Sequence, residues 1–271
     1  MLSVPRVPVA GSELHVQRRG GGEPLLLVQG LGGHAGHWGE PFLRELERDF
    51  ELILYDHRGI GRSAVLTGDV TTAGLAVDAL ALLDALELQR AHVFGFSMGG
   101  MVAQELALAA PGRLRTLTLA GTSAGGTQSK ATSDDVVRAL TTAVLSGDRR
   151  RVFDVGYRFL VSRAFAADAA NHAAFEAVAK DHPATIKILM EQQAAVVAHD
   201  TYARLRSLRV PTLVVHGSDD QILEAVNGDL IASLIPDARL ELLQGVGHLL
   251  FWEQPGRVAQ LVRDHARADV G

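Results

Sequence analysis

The feature that most constrains the fold of this chain is a serine at the junction of a strand and a helix. Residues 91–96 form an apolar run of β type, Ser97 follows, and residues 101–110 favour a helix, with Gly95 and Gly99 on either side of the serine. A strand that turns this sharply into a helix strains the central residue and holds its side chain away from the turn. Its neighbours must be small, because the helix passes back close to the strand. A tight turn that merely tolerates serine is the alternative, but this context favours Ser97 as a nucleophile.

Composition excludes several classes of protein. The chain has 271 residues, of which 47% are hydrophobic, and this suits one sizeable domain with an insertion. A formal net charge of −5 is unlike the basic footprint of a nucleic-acid-binding protein. The chain has no cysteine, which excludes disulfides, a thiol nucleophile and thiolate metal sites. Neither a signal-peptide core nor a run of bilayer length is present, so we expect a cytoplasmic protein without membrane or nucleic-acid partners. The oligomeric state has no signature in the sequence.

Buried strands alternate with helical patterns over the first half of the chain. Continuous apolar runs at 25–28, 52–55 and 114–119 are typical of strands that are buried on both faces. Helical patterns lie between them, and this alternation predicts an α/β fold with a mostly parallel central sheet and helices on both faces. Strand signals resume at 211–215 and 239–243.

The alternation is interrupted in the middle of the chain. Residues 125–206 contain helical patterns only. An all-helical insertion in an α/β sheet is most simply a cap over the carboxyl edge of the strands. We therefore predict a core made of residues 1–124 and 207–271, with residues 125–206 inserted as a helical cap.

Two further residue types complete a candidate triad with Ser97. His248 follows the last predicted strand, and Asp219 and Asp220 follow the strand before it. All of these would emerge at the same sheet edge as Ser97, since the carboxyl ends of parallel strands share one edge. A serine hydroxyl needs a base, and the histidine needs a carboxylate that fixes its tautomer and stabilises the imidazolium. The order Ser, Asp, His is one known order of this triad.

An oxyanion on the substrate would need two backbone N–H donors. The residue after the nucleophile, Met98, is one candidate. The other is Leu31 in the segment Gly30-Leu31-Gly32-Gly33, where glycines allow the backbone to approach a substrate closely.

Five blocks in order give the chain a resemblance to the α/β-hydrolase superfamily over nearly its whole length. The matching segments are 29–33 (QGLGG), 56–63 (DHRGIGRS), 95–100 (GFSMGG), 216–220 (HGSDD) and 247–248 (GH). The resemblance implies that the acid of the triad is Asp220 and not Asp219. More finely, the segments 97–104 and 122–126 and the pattern Gly-His-x-x-x-x-Glu ending at Glu253 resemble enol-lactonase-like and small-molecule methylesterase-like members.

The chain departs from this family at Gln29, where the family usually has histidine. The Gln29 side chain can anchor the segment 30–33 by hydrogen bonds or contact a substrate. His34 lies close to the same loop in sequence and is a second candidate substrate contact. Phe153 and Tyr157 of the helical insertion are candidate pocket residues, although packing among the helices explains them equally well. No metal site is expected, because the histidines near the loop lack further ligands.

These observations predict a cofactor-free serine hydrolase that acts on a small-molecule carboxylic ester or lactone through an acyl-enzyme. Hydrolysis of a C–C bond or of an amide would use the same triad, so both remain open. A ligand-binding receptor that keeps the fold with little turnover is the alternative from another functional class.

Overall fold

The computed structural model describes residues 6–9, 12–64 and 70–268. Its strands are β1 (Val7–Val9), β2 (Ser12–Leu14), β3 (Val16–Gly20), β4 (Glu23–Val28), β5 (Phe50–Tyr55), β6 (Ala91–Phe96), β7 (Leu114–Ala120), β8 (Thr212–Gly217) and β9 (Arg239–Leu243). Its α-helices are α1 (Glu40–Leu46), α2 (Thr72–Ala85), α3 (Met98–Ala109), α4 (Asp134–Leu145), α5 (Arg149–Leu160), α6 (Arg163–Ala166), α7 (Ala169–Ala179), α8 (Ile186–Ala198), α9 (Val226–Leu234), α10 (Leu250–Glu253) and α11 (Pro255–Ala268). Short 3-10 turns lie at Ala35–Trp38, Pro111–Arg113 and Leu205–Ser207.

The core is a seven-stranded sheet in the order β3-β5-β4-β6-β7-β8-β9, and β1 and β2 form a separate antiparallel pair. Only the edge strand β3 runs antiparallel to its neighbour; the other pairs in this sheet are parallel. The predicted parallel sheet is confirmed. The sequence patterns did not indicate that its edge is an antiparallel strand.

Alternate residues of the buried strands enter two different hydrophobic clusters. In β4, Leu26 and Val28 pack in a cluster with residues of α2, α3 and α9, whereas Leu25 and Leu27 pack in a cluster with residues of α1, α10 and α11. Successive side chains of a strand point to opposite faces, so a continuous apolar run requires a cover on both sides. The predicted helices on both faces are therefore confirmed, and the apolar strands explain them.

Strand register brings the candidate residues to one edge of the sheet. Phe96 at the end of β6 pairs with Ala120 at the end of β7, and Ala120 pairs with Val215 in β8. Gly217 at the end of β8 pairs with Leu243 at the end of β9. The loops that follow β6, β8 and β9 therefore leave the sheet side by side.

Helices α4 to α8 all lie between β7 and β8, in the segment that we call the helical insertion (residues 125–206). The two ends of this segment meet: the N–H of Thr201 donates to the carbonyl of Ala124 at 2.9 Å, and Gly125 forms an isolated β-bridge with Asp200. The chain thus leaves the sheet after β7 and returns to nearly the same place before β8. Among the described residues, no helix has the length and apolar character that a bilayer span requires.

Candidate active site

Ser97 lies at a strained turn between β6 and α3. Its φ is 55° and its ψ is −123°, a backbone conformation that residues other than glycine rarely adopt. A Cβ on Gly95 would lie 2.5 Å from the carbonyl oxygen of Gly99, and a Cβ on Gly99 would overlap the carbonyl oxygen of Val28. The small residues on both sides of the serine are thus required by the close approach of α3 to β4 and β6. The turn leaves the Ser97 side chain only partly buried.

A chain of hydrogen bonds joins Ser97, His248 and Asp220. The Oγ of Ser97 lies 3.0 Å from Nε2 of His248, and Nδ1 of His248 lies 2.6 Å from Oδ2 of Asp220. A carboxylate at Nδ1 requires the proton on that nitrogen and leaves Nε2 free to accept the serine proton. Asp220 and His248 are buried, with 4% and 2% of their surfaces exposed.

The environment of Asp220 keeps its carboxyl group ionised. Its Oδ1 accepts the backbone N–H groups of Ile222 and Leu223, both at 2.9 Å, and Nε2 of His216 lies 3.3 Å from its Oδ2. Burial by itself would raise the pKa of Asp220, but the charge of His248 and the hydrogen bonds from His216 and His248 outweigh it. Together they hold the pKa well below its ordinary value of 3.8.

The neighbouring Asp219 lies apart from this chain of hydrogen bonds. It is exposed, and its Oδ1 accepts the hydroxyl of Ser218 at 2.9 Å. Of the two adjacent aspartates, the structure therefore brings Asp220 to the histidine and leaves Asp219 at the surface.

The loop after β4 lies against Ser97, and one of its N–H groups has no acceptor among the described residues. A Cβ on Gly30 would lie 3.1 Å from Cβ of Ser97. The N–H of Gly30 donates to Oε1 of Gln29 at 2.8 Å, that of Gly32 donates to Oε1 of Gln192 at 2.8 Å, and that of Gly33 donates to the carbonyl of Gly30 at 3.1 Å.

The N–H of Leu31 donates to no protein acceptor in the part of the chain that the structure describes. Met98 is the first residue of α3, so its N–H has no acceptor within the helix. The arrangement can thus offer two backbone donors beside Ser97. We call residues 30–33 the oxyanion loop.

Gln29 precedes this loop, and its side chain packs against it. It is 2% exposed, its Oε1 accepts the N–H of Gly30, and its Cγ and Cδ fill the space that a side chain at position 33 would need. Its carbonyl also accepts from Nε2 of His57 at 2.9 Å. Gln29 therefore stabilises the loop through hydrogen bonds in the place where the family usually has histidine.

His34 begins the short 3-10 turn after the oxyanion loop. Its Nδ1 accepts the N–H of Gly36 at 3.1 Å, while its buried Nε2 has no partner among the described residues. The rings of His34 and His37 lie 4.2 Å apart, and burial, with the charge of His34 adding to it, lowers the pKa of His37 to about 3.

Phe153 and Tyr157 pack within an aromatic cluster of the helical insertion. Their rings stack on each other at 6.1 Å, and Phe175 from α7 lies 6.1 Å from Phe153 and 5.5 Å from Tyr157. Phe175 in turn contacts Trp252 of α10, at 5.1 Å between ring centres. Burial, with the charges of Glu253 and Asp168 adding to it, raises the pKa of Tyr157 to about 12, so this residue stays neutral. The contacts are those of packing between helices.

The helical insertion also contacts the segment that carries His248. Glu253 accepts the N–H of Ser162 and the N–H of Gly247, both at 2.8 Å, and the hydroxyl of Ser162 at 2.5 Å. Next to His248, the N–H of Leu249 donates to the carbonyl of Leu160 at 2.8 Å. The pattern Gly-His-x-x-x-x-Glu pointed to Glu253, but nothing in the sequence pointed to Ser162 or Gln192.

Comparison with known proteins finds relatives over most of the chain. A family model described as alpha/beta hydrolase fold matches residues 23–255. The RutD protein of Azorhizobium caulinodans, named as a proposed carbamate hydrolase, is 33% identical over 246 residues, which cover 84% of this chain and 85% of that protein.

Two solved structures are also similar. A hydrolase from Pseudomonas aeruginosa PA01 is 32% identical with a TM-score of 0.82, and 96% of each chain is covered. The enol-lactonase from Burkholderia xenovorans LB400 is 25% identical with a TM-score of 0.84, over 97% of this chain and 100% of that one.

Proposed function

The chain belongs to the alpha/beta hydrolase family, and from this premise we propose that it is a cofactor-free serine hydrolase that cleaves a small-molecule carboxylic ester or lactone. The observation that carries the proposal is the chain of hydrogen bonds from Ser97 through His248 to Asp220. Similarity to the Burkholderia enol-lactonase supports the ester or lactone bond as the one that is cleaved.

In the proposed reaction the Ser97 hydroxyl attacks the substrate carbonyl while Nε2 of His248 takes its proton. Asp220 stabilises the resulting imidazolium, and the N–H groups of Met98 and Leu31 bind the oxyanion. His248 then protonates the leaving alkoxide, which leaves an acyl group on Ser97. Water, activated by His248 in the same way, releases the acid.

We further propose that the helical insertion is the cap of this site and that residues 1–124 and 207–271 form the core. Two sets of contacts support this assignment. Gln192 holds the N–H of Gly32 in the oxyanion loop, and residues 160–162 contact the loop that carries His248. A segment in these positions would bound the space in which a substrate meets Ser97.

Labelling and activity of the variant Ser97→Ala test the proposal. The wild-type protein should react with a fluorophosphonate and hydrolyse p-nitrophenyl esters or lactones. Ser97→Ala should lose the label and about 10⁴–10⁶-fold in kcat, because the triad acts as a unit. The matched control is Ser207→Ala, which changes an exposed serine and should leave both properties intact. Activity of Ser97→Ala close to that of the wild type would refute the assignment, and an unlabelled wild-type protein would favour a receptor.

Cleavage of a carbamate C–N bond is the second candidate, because the similarity to RutD favours it. The same triad would serve, with an amine in place of the alkoxide as the leaving group. Adding aryl and alkyl carbamates to the substrate panel separates the two. A higher kcat/KM on carbamates than on matched esters would select the second candidate.

A further inference from the structure

We propose that Gln192 is a positioning residue of the oxyanion loop, so that the helical insertion takes part in building the oxyanion site. The proposal rests on the proposed function, since it assigns Leu31 as a donor to the oxyanion. Gln192 itself is not expected to contact the reacting atoms. It acts through Gly32, the residue next to Leu31.

The hydrogen bonds of the loop carry this inference. Three of the four consecutive N–H groups in residues 30–33 have acceptors, and the fourth belongs to Leu31. The groups before and after it are both held by glutamine side-chain oxygens, from Gln29 in the core and from Gln192 in α8. Leu31 is only partly buried, so its N–H, which has no acceptor among the described residues, can be reached by a substrate atom.

The contact between Gln192 and the loop is buried and closely packed. Gln192 is 0% exposed, and Leu189, one turn earlier on α8, has its Cδ2 2.7 Å from the place of a Cβ on Gly32. Gly32 also has a φ of +70°, which residues with a side chain rarely adopt. A side chain at position 32 would therefore be strained, and the N–H of Gly32 donates to Oε1 of Gln192.

The chemistry of the Gln192 amide fixes its orientation. An N–H donor can be met only by the carbonyl oxygen of the amide, which leaves the Nε2 group directed elsewhere. That Nε2 is buried and has no partner among the described residues. A buried amide with an unmet donor is unfavourable, so an apolar residue of similar size would pack at lower cost if no acceptor were needed. The acceptor function of Gln192 is thus its distinguishing property at this position.

Loss of the Gln192 oxygen would free the N–H of Gly32 and release the loop to reorient. Leu31 and Gly32 would then compete for the oxyanion, and neither would be fixed at the right distance. The oxyanion exists only in the transition state and the tetrahedral intermediate. Loss of its support should therefore lower kcat and leave ground-state binding of the substrate unchanged. Misplacement of a catalytic group by about 1 Å is enough for a loss of about 10²-fold.

The test is Gln192→Met, which keeps the length of the side chain and removes the acceptor. We expect kcat to fall about 10–100-fold with KM changed less than about threefold. The pH dependence of kcat/KM should keep its shape, because the triad is untouched. The matched control is Gln193→Met, the same substitution on the exposed face of the same helix, which should retain wild-type kinetics.

Two outcomes would overturn the inference. One is a Gln192→Met enzyme with wild-type kcat, and the other is a variant in which only KM rises, which would make Gln192 a pocket residue. In both cases the wild-type protein would still label at Ser97, so the proposed function would stand. A wild-type protein that does not label would instead refute the proposed function.

Amide exchange of the wild-type protein supplies a measurement that does not need the variant to fold. The backbone amide of Gly32, followed by NMR, should exchange slowly with solvent deuterium, and that of Leu31 should exchange faster. In a folded Gln192→Met protein the Gly32 amide should lose protection, whereas that of Gly33 should keep it. Equal exchange of Gly32 and Leu31 in the wild type would contradict the proposed hydrogen bond.

Discussion

At the scale of single residues, burial separates groups that look alike in the sequence. Asp219 and Asp220 are adjacent, yet Asp219 is exposed, whereas Asp220 is buried (4% exposed) and hydrogen-bonded to His248. Spacing after a strand places both at the correct edge of the sheet, and only the family resemblance favoured Asp220. The physical difference between them is the set of donors around each carboxylate.

The substitution Asp220→Asn should lower kcat by about 10³–10⁴-fold, because an amide cannot hold the required histidine tautomer or stabilise the imidazolium. Asp219→Asn, the exposed neighbour, is the control and should leave kcat near the wild-type value. Steady-state kinetics on one p-nitrophenyl ester compares them. A mild effect at position 220 with a large one at 219 would reverse the assignment.

The same variant also has an effect on stability that depends on pH. The folded pKa of Asp220 lies below its ordinary value of 3.8, so ionised Asp220 stabilises the native state above about pH 4. This stabilisation is lost as the pH falls through the folded pKa. The difference in unfolding free energy between wild type and Asp220→Asn should therefore be largest near neutral pH and shrink in acid, as urea titrations would measure. A difference that stays constant down to about pH 3 would contradict it.

Much of the candidate site could be predicted at this scale, for a physical reason. Ser97, Asp220 and His248 each follow a strand, and parallel strands deliver their carboxyl ends to one edge. Gln192 could not be predicted, because it lies 160 residues from Gly32 in sequence and its contact depends on how α8 packs on the core. No local pattern encodes such a contact.

At the scale of elements, the close packing of α3 on β4 determines the shape of the elbow. The sequence predicted small residues on both sides of Ser97, and the overlap of a Cβ on Gly99 with the Val28 carbonyl gives the reason. The antiparallel edge strand β3 was not predicted, because strand direction depends on pairing partners and leaves no trace in hydrophobic periodicity.

Paired glycine-to-alanine substitutions measure this packing. Gly99→Ala in α3 should destabilise the protein by about 1–3 kcal/mol, because the new methyl group overlaps backbone that can move only with the strand. Gly156→Ala in α5, where a Cβ would meet nothing within 4 Å, should stabilise it by about 0.5–1 kcal/mol through helix propensity. Urea unfolding of both variants against wild type gives the comparison. Similar effects at the two positions would show that helix propensity and not packing dominates at Gly99.

At the scale of the whole molecule, a buried histidine near the C-terminal end of the helical insertion connects the insertion to the core. His199 follows α8, its Nδ1 lies 3.0 Å from the hydroxyl of Thr72 in α2, and it is 3% exposed. Burial, with the charge of Arg204 adding to it and those of Glu105 and Asp200 opposing it, lowers the pKa of His199 to about 4. The native state therefore keeps this residue neutral at pH values where an unfolded chain would protonate it.

The stability of the protein should accordingly decrease as the pH falls from about 6.5 to about 4. Over this interval the unfolded state binds a proton at His199 that the folded state does not, and the effect is of the order of 1–3 kcal/mol. His199→Gln should reduce this pH dependence, whereas His182→Gln, at a position with 41% of its side chain exposed, should preserve it. Thermal or urea unfolding at a series of pH values tests the prediction. An unchanged pH profile in His199→Gln would contradict it.

The carboxylate of Glu253 joins the residue before His248 to Ser162 of the helical insertion, and this has a consequence for protein engineering. A chimera that takes residues 125–206 from a relative would exchange Ser162 and Gln192 together, and with them the insertion's contacts to both sides of the site. We expect such a chimera to change both selectivity and turnover, because it would alter the proposed cap and the proposed support of the oxyanion loop together. A transplant that is meant to keep the recipient's rate should therefore retain Ser162 and Gln192.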